Sequence, residues 1–379
     1  MSRLEELIQQ HCSDGVEYMP IGQISEIKRG ERLTKSSLKA DGEYIVVSGG
    51  VSPMGRYTNY NRNENTITIS SYGAAGYVGF QTEKFWANDV CLCVFPKDII
   101  SNKYLYYALK REQNYLYSKT TKAIPDHIPT EIILDLKIPV PPLPVQEEIV
   151  RILDSFTELQ AELQAELQKR LQQYNYYRDN LLSFEGRTDV EWKKLGEIGK
   201  VCMCKRILKE QTSSTGDIPF FKIGTFGGSA DAYISRQLFD EYVKKYSYPK
   251  KGDILISAAG TIGRTVVFDG IPSYFQDSNI VWLKHDESVV LNSYLRYIYS
   301  LNPWAVSTGG TIARLYNDNI LNAVIPVPPL AEQQRIVDIL DRFHALTTDI
   351  TAGLPAEIEA RRKQYEYYRD KLLTFKQKA

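Results

Sequence analysis

The sequence is poor in everything that marks a catalyst, a disulfide scaffold or a membrane protein. Its 379 residues include five cysteines, a sparse and odd count that suits reduced thiols rather than a disulfide frame. No apolar run approaches the roughly 20 residues of a membrane helix. The opening stretch, MSRLEELIQQHCSDG, has no basic segment leading into an apolar core, so the expectation is no secretory signal and a cytoplasmic location. There is no G-x-x-x-x-G-K-[ST] loop and no strand-linked G-x-G-x-x-G, which speaks against nucleotide or dinucleotide chemistry. Asn302-Pro303-Trp304 lacks the second proline of the NPP[YF] motif of amino-methyltransferases and reads as a turn. The four histidines, His11, His127, His285 and His344, stand singly and read as surface or capping groups. The pairs Cys91/Cys93 and Cys202/Cys204 could offer four thiolates to zinc, but CLCVF alternates inside an apolar run and reads better as strand. No metal or cofactor is expected. Net charge is zero, 46 basic against 46 acidic residues, which argues against a simple basic DNA-binding protein while leaving local patches open.

What the chain has is repetition. IPVPPLPVQEEIVRILDSFTEL (138–159) returns as IPVPPLAEQQRIVDILDRFHAL (325–346), 187 residues on. A second block, RLQQYNYYRDNLLSF (170–184), returns as RRKQYEYYRDKLLTF (361–375). A duplication of this period implies a two-fold design. After Pro141-Pro142 the stretch from Val145 to Phe184 lacks Gly and Pro and carries Ile149, Ile152, Phe156, Leu159 and further apolar residues to Leu181 at helical spacing, predicting a helix of roughly 60 Å. The second copy, Ala331 to Lys376, has the same stripe but contains Gly353-Leu354-Pro355, predicting a kink or restart.

Between these blocks lie short β-like runs and Gly or Asn turns. TITIS (66–70) and DILIS (253–257) alternate as half-buried strands do. Each enters a small-residue loop, SYGAAGYV and AAGTIGRTV, with Gly73 and Gly76 matching Gly260 and Gly263. NKYLYYAL (102–109) and NSYLRYIY (292–299) predict matching helices capped by their asparagines, and VEYMPIGQI (16–24) matches VEWKKLGEI (190–198). The head regions are therefore duplicated too, but with far more divergence than the helices. The heads carry a small positive excess and the first helical block a small negative one. Thr261 and Arg264 lie on the second glycine loop, Arg314 follows TGGTIA, and the first head has KTTK (119–122) at the corresponding place. An arginine on a mobile loop is a common reader of guanine.

Two near-identical helical blocks separating two divergent heads make the chain resemble the DNA specificity subunit of type I restriction-modification systems. The residues carrying the match are IPVPPLPVQEEIVRILDSF with RLQQYNYYRDNLLSF, and IPVPPLAEQQRIVDILDRF with GLPAEIEARRKQYEYYRDKLLTF. The resemblance implies an α+β fold: two mixed target recognition domains, mostly β with short helices, separated by two long antiparallel helices that form a coiled-coil spacer, all with an internal pseudo-two-fold repeat. On that reading residues 1–142 are the first recognition domain with an N-terminal segment, 143–188 the first spacer helix, 189–329 the second recognition domain and 330–379 the second spacer helix. Each head would read half of a split double-stranded DNA site. The helices would dock two modification subunits carrying adenine methyltransferase chemistry, and restriction subunits would join the larger assembly. The chain itself would catalyse nothing and use no cofactor.

Candidate base contacts are Thr261, Arg264, Thr311 and Arg314 in the second head and Tyr72, Tyr77, Lys119 and Lys122 in the first. Candidate partner contacts are the doubled residues Gln146, Ile149, Tyr174, Tyr177 and Arg178 with Gln333, Ile336, Tyr365, Tyr368 and Arg369, some of which must instead close the helix pair on itself. TELQAELQAELQ (157–168) is a tetrad repeat; one tetrad adds about 6 Å and about 40° of net rotation, against about 3.4 Å per base pair and about 35°. Inserting one tetrad should lengthen the unread spacer by one or two base pairs. Competing readings are a fused methyltransferase or nuclease, opposed by the missing cofactor motifs, and a structural adaptor, which gives no reason for two different heads.

Overall fold

A computed structural model describes residues 2–121, 124–305, 314–348 and 352–378. Two compact units contain the chain: residues 1–165 with 356–379, and residues 166–355. The boundary runs through the helical blocks, so each unit is one β-rich head with parts of the helices.

The heads repeat one topology. In the first, a four-stranded antiparallel sheet has the order Ser25–Arg29, Cys91–Pro96, Thr66–Ser70, Val78–Gln81. In the second the order is Lys200–Met203, Ile280–Lys284, Ile254–Ser257, Thr265–Val267. A three-stranded sheet accompanies each, built on Tyr44–Val47 or Ile218–Phe221, and each pairs antiparallel on one side and parallel on the other. A two-stranded sheet joins the head's entry to its exit: Tyr18–Pro20 with Lys137–Pro139, and Glu191–Lys194 with Val324–Val327.

Thr66–Ser70 and Ile254–Ser257 are buried at every position, not on alternate positions as their sequences predict. The reason is a second layer. Helix Asn102–Arg111 packs Tyr104, Leu105 and Leu109 into the core beside Ile67 and Ile69, while Phe85, Ala87, Cys91 and Cys93 form a separate apolar cluster. The cap of that helix is Ser101, whose Oγ accepts from Tyr104 N (3.3 Å); in the second head Leu291 holds that position and helix Asn292–Ser300 has no side-chain cap. Neither predicted asparagine is the cap: the first helix is capped one residue earlier and the second has no side-chain cap.

Leu143–Ser183 is one uninterrupted helix of 41 residues, about 60 Å at 1.5 Å per residue. The second copy is two helices, Leu330–Thr348 and Leu354–Leu372. Pro355 is the second residue of the latter, where its missing N–H costs no intrahelical bond. Within the first unit, Phe156 stacks on Tyr368 (5.4 Å between ring centres), and Ile152 and Phe156 share a groove with Leu372 and Tyr368, an antiparallel pairing. Within the second unit Tyr177 stacks on Phe343 (5.3 Å). The first unit also ties its two chain ends: Val16 N donates to Lys376 O (2.8 Å), and Lys378 N to Val16 O (3.0 Å). Among the described residues no helix is long and apolar enough to cross a membrane.

Candidate nucleic-acid interface

One end of each four-stranded sheet carries convergent loops among the described residues. In the first head the strand Thr66–Ser70 runs into a turn at Gly73 (φ +79°). A Cβ there would lie 2.7 Å from Gly49 O, so a side chain is excluded on both conformation and space. Ala74 N donates to Gly49 O (2.7 Å) and Gly73 N to Asp126 O (3.0 Å). The backbone thus ties loops 48–54 and 71–77 to Asp126. In the second head 222–230 and 258–264 are the equivalents of the two loops, and Arg314 is the first described residue of the segment equivalent to that of Asp126. Ile128 N donates to Ser71 O (3.0 Å), and Leu315 N to Ala258 O (2.9 Å). His127 and Arg314 therefore occupy the same place in the two frames.

The predicted contact residues fare unevenly. Tyr72 is half-buried with its ring on His127, 4.4 Å between centres. Tyr77 is half-buried under Lys110 Nζ (4.6 Å) and lines a small cleft with Val51, Ser52 and Pro53. Lys119 is exposed over Tyr115 (5.3 Å). Thr261 is exposed, and its carbonyl accepts from Ser257 Oγ. Arg264 Nη1 donates to Phe226 O (2.9 Å) and Arg314 Nη2 to Ser278 O (3.1 Å), so both guanidinium groups also hold neighbouring loops in place. Lys122 and Thr311 lie outside the described residues. Loops 48–54 and 222–230 escaped the sequence reading, although SGG and FGG marked them as turns.

Two clefts flank Ser278 (φ +53°) in the second head. One, of about 490 Å³, is lined by Arg206, Lys209, Lys222, Gln276 and Asn279 among others. The other, of about 430 Å³, is lined by Arg314, Tyr316 and Asn317 among others. Polar donors and aromatic rings on short loops over a rigid sheet can meet base edges, which is what direct readout needs. Among the described residues no group of three or more His, Cys, Asp or Glu could hold a metal ion. The C-x-C cysteines are buried, and burial pushes the Cys204 thiol up to about 12, so it is protonated at neutral pH.

On the helices, four of the doubled residues chosen as partner contacts are internal. Gln146 is fully buried: its Oε1 accepts from Ser101 N (2.7 Å), and its Nε2 donates to Ile99 O (3.0 Å) and Pro141 O (2.7 Å). Gln333 does the same with Leu291 N (2.9 Å), Val289 O (2.9 Å) and Pro328 O (2.8 Å). Ile149 and Ile336 are core residues at 0% exposure. These four present no surface to a partner; the doubled glutamines make the same staple between head and helix in both heads. Tyr174 and Tyr365 are half-buried beneath Arg178 (5.8 Å) and Arg369 (5.8 Å). Tyr177 and Tyr368 stack inward, as described, and Tyr177 remains 44% exposed. The doubled tyrosines that face solvent most are Tyr176 (67%) and Tyr367 (62%), one residue from those selected.

The likeness to known proteins extends over nearly the whole chain. The family model described as type I restriction modification DNA specificity domain matches residues 13–173 and again 188–360. A protein of Haemophilus influenzae named as a type I restriction enzyme specificity subunit is 48% identical over 392 residues, covering 98% of both chains. The specificity subunit of the type I restriction enzyme EcoR124I/EcoR124II of Escherichia coli is 33% identical over 420 residues, covering 99% of this chain and 97% of that one. A crystal structure of the S subunit of a type I restriction-modification system from M. genitalium superposes with a TM-score of 0.61 at 19% identity, covering 95% and 96% of the two chains; it shares the fold.

Proposed function

The chain belongs to the family of type I restriction-modification DNA specificity subunits, the non-catalytic part of such a complex, and from that premise we propose that each head reads one half of a bipartite double-stranded DNA site. The observation that carries this reading is the contrast between frame and loops. Both heads have the same strand order, the same entry and exit pairing and the same glutamine staple, whereas the corresponding loop positions hold Tyr72 and His127 in one head and Ala259 and Arg314 in the other. A common frame with different side chains at its loop end is what two half-sites of different sequence require. Tyr72, Tyr77, Lys119 and Lys122 serve the first half-site, and Thr261, Arg264, Thr311 and Arg314 the second.

The helices act as the spacer and as the dock for two modification subunits, with restriction subunits completing the assembly on DNA in the cytoplasm. The docking residues are the doubled Tyr174, Tyr177, Arg178, Tyr365, Tyr368 and Arg369, to which exposure adds Tyr176 and Tyr367. The test is co-expression of the chain with its modification subunits and mapping of methylated adenines. A split motif with a fixed unread gap is the expected result, and a single continuous motif would refute it.

A further inference from the structure

The loop ends of the two heads differ almost everywhere, yet one charged pair recurs. Arg32 and Lys35, in ERLTK, return as Arg206 and Lys209, in KRILK, 174 residues on (32 to 206, 35 to 209). That is the offset of the head's entry segment, Val16 to Val190. In both heads the pair follows the edge strand of the four-stranded sheet, Ser25–Arg29 or Lys200–Met203, and its lysine opens a short 3-10 turn, Lys35–Ser37 or Lys209–Gln211.

The backbone under the pair is fixed. In the first head Leu33 N donates to Asn88 Oδ1 (2.8 Å), Asn88 Nδ2 donates to Leu33 O (3.2 Å), and Glu31 N donates to Ala87 O (2.8 Å). Asn88 Nδ2 also reaches Ser48 Oγ (3.2 Å), which places the pair at the foot of the 48–54 loop. In the second head Arg206 and Lys209 line the cleft that Lys222 and the 276–279 loop complete.

Three of the four charges are free to meet a ligand, and the fourth is reachable. Arg32, Lys35 and Lys209 are exposed, and among the described residues their side chains have no hydrogen-bond or ion-pair partner. Arg206 bonds Asp277 (2.9 Å) while its side chain stays 67% exposed. A structural pair would be bonded alike in both heads. Random divergence would not keep two cations at the offset of the entry segment amid loops that otherwise changed. A sequence-reading pair would differ between half-sites. Phosphate contacts fix register and orientation and carry no sequence information, so the same pair can serve both halves.

The geometry points to Arg32 with Lys35 and Arg206 with Lys209 as matched phosphate anchors, one on each half of the DNA site, that position the heads without reading sequence. This rests on the DNA-reading function proposed above. It also fits a chain of zero net charge, since two small anchors need no basic surface.

The experiment uses the full chain assembled with its modification subunits and a duplex carrying the mapped site, with binding measured across a salt series. R32A/K35A and R206A/K209A should each lower affinity about tenfold and reduce the salt slope by about 2, for cognate and unrelated duplexes alike, with the methylated motif unchanged. The exchange R32K/K35R should keep affinity, because phosphate accepts either cation, and thermal melting of all variants should match the parent. A changed half-site in any variant, or unchanged affinity and slope in both alanine pairs, overturns the anchors. If the unmutated complex itself shows no sequence-specific binding, the DNA-reading function falls and takes the anchors with it; that control separates the two failures.

Discussion

At their bases the two heads use the same hydrogen bonds; at their loop ends they share little beyond a fold. Tyr104 Oη donates to Pro139 O (3.0 Å) and Tyr294 Oη to Pro326 O (3.1 Å). Tyr107 Oη donates to Asp154 and Tyr297 Oη to Asp341. Burial pushes these four phenols up, so they stay protonated donors. At the opposite end Tyr72 lies on His127 in one head, while Arg314 bonds Ser278 in the other. The difference teaches where each requirement lies. Junctions between head and helix answer to one geometry and were kept, while the loop ends diverged, as the proposed readers of two different half-sites require.

The strongest way to break that comparison is at the staples. Gln146→Ala or Gln333→Ala leaves one buried carbonyl and two part-buried backbone groups without their partner, and each should cost about 2 to 3 kcal/mol, read from the denaturation midpoint. If one costs far less than the other, the bases are not equivalent. Next comes Arg314→Ala, which should relax the second half-site alone by about 1 to 3 kcal/mol of discrimination, read from the methylation frequency at mismatched sites. Equal loss at both half-sites would sink the idea of separate readers. Arg264→Ala removes the bond to Phe226 O and should destabilise by about 1 kcal/mol, with any loosening of the motif confined to the second half. Inserting one Ala-Glu-Leu-Gln tetrad in 157–168 should change only the unread gap, by one or two base pairs; an altered half-site would mean that helix and heads are not separable.

The smallest effect is acid-dependent. Hydrogen bonds from Arg335 and then Arg187 lower the Glu332 carboxyl from its ordinary 4.5 to about 2. A carboxylate held down in the folded state stabilises above its unfolded pKa, and that stability is lost as pH falls through the folded one. The parent should therefore lose stability relative to Glu332→Gln between about pH 4.5 and pH 2. Because both arginines are more than a third exposed, the difference should stay below about 1 kcal/mol. An identical acid profile in the two proteins would show that the pair contributes nothing.

Much of this architecture was legible because duplication is visible in letters. The two helical blocks, the glycine turns at Gly73 and Gly260 and the head–helix order all follow from residues recurring at fixed offsets. Duplication announces a shared requirement without saying which one. Gln146 and Gln333 are polar and repeated, so they look like contact residues; only their three hydrogen bonds each show that both are interior. Thr66–Ser70 alternates in sequence but is covered on both faces by elements distant along the chain. Arg32 and Lys35 escaped notice because they vanish in a balanced charge count, and Tyr176 and Tyr367 because a helix turns adjacent residues to different sides.

The central claim is that one frame carries two independent readers. Its most direct test is to replace the exposed tip of the 222–230 loop in the second head, Gly227 to Ser229, leaving the buried Phe226 in place, and map methylated adenines in cells that express the variant with its modification subunits. The account expects a new second half-site with the first half-site and the gap unchanged. Simultaneous change of both half-sites, or no change in either while methylation persists, would contradict it.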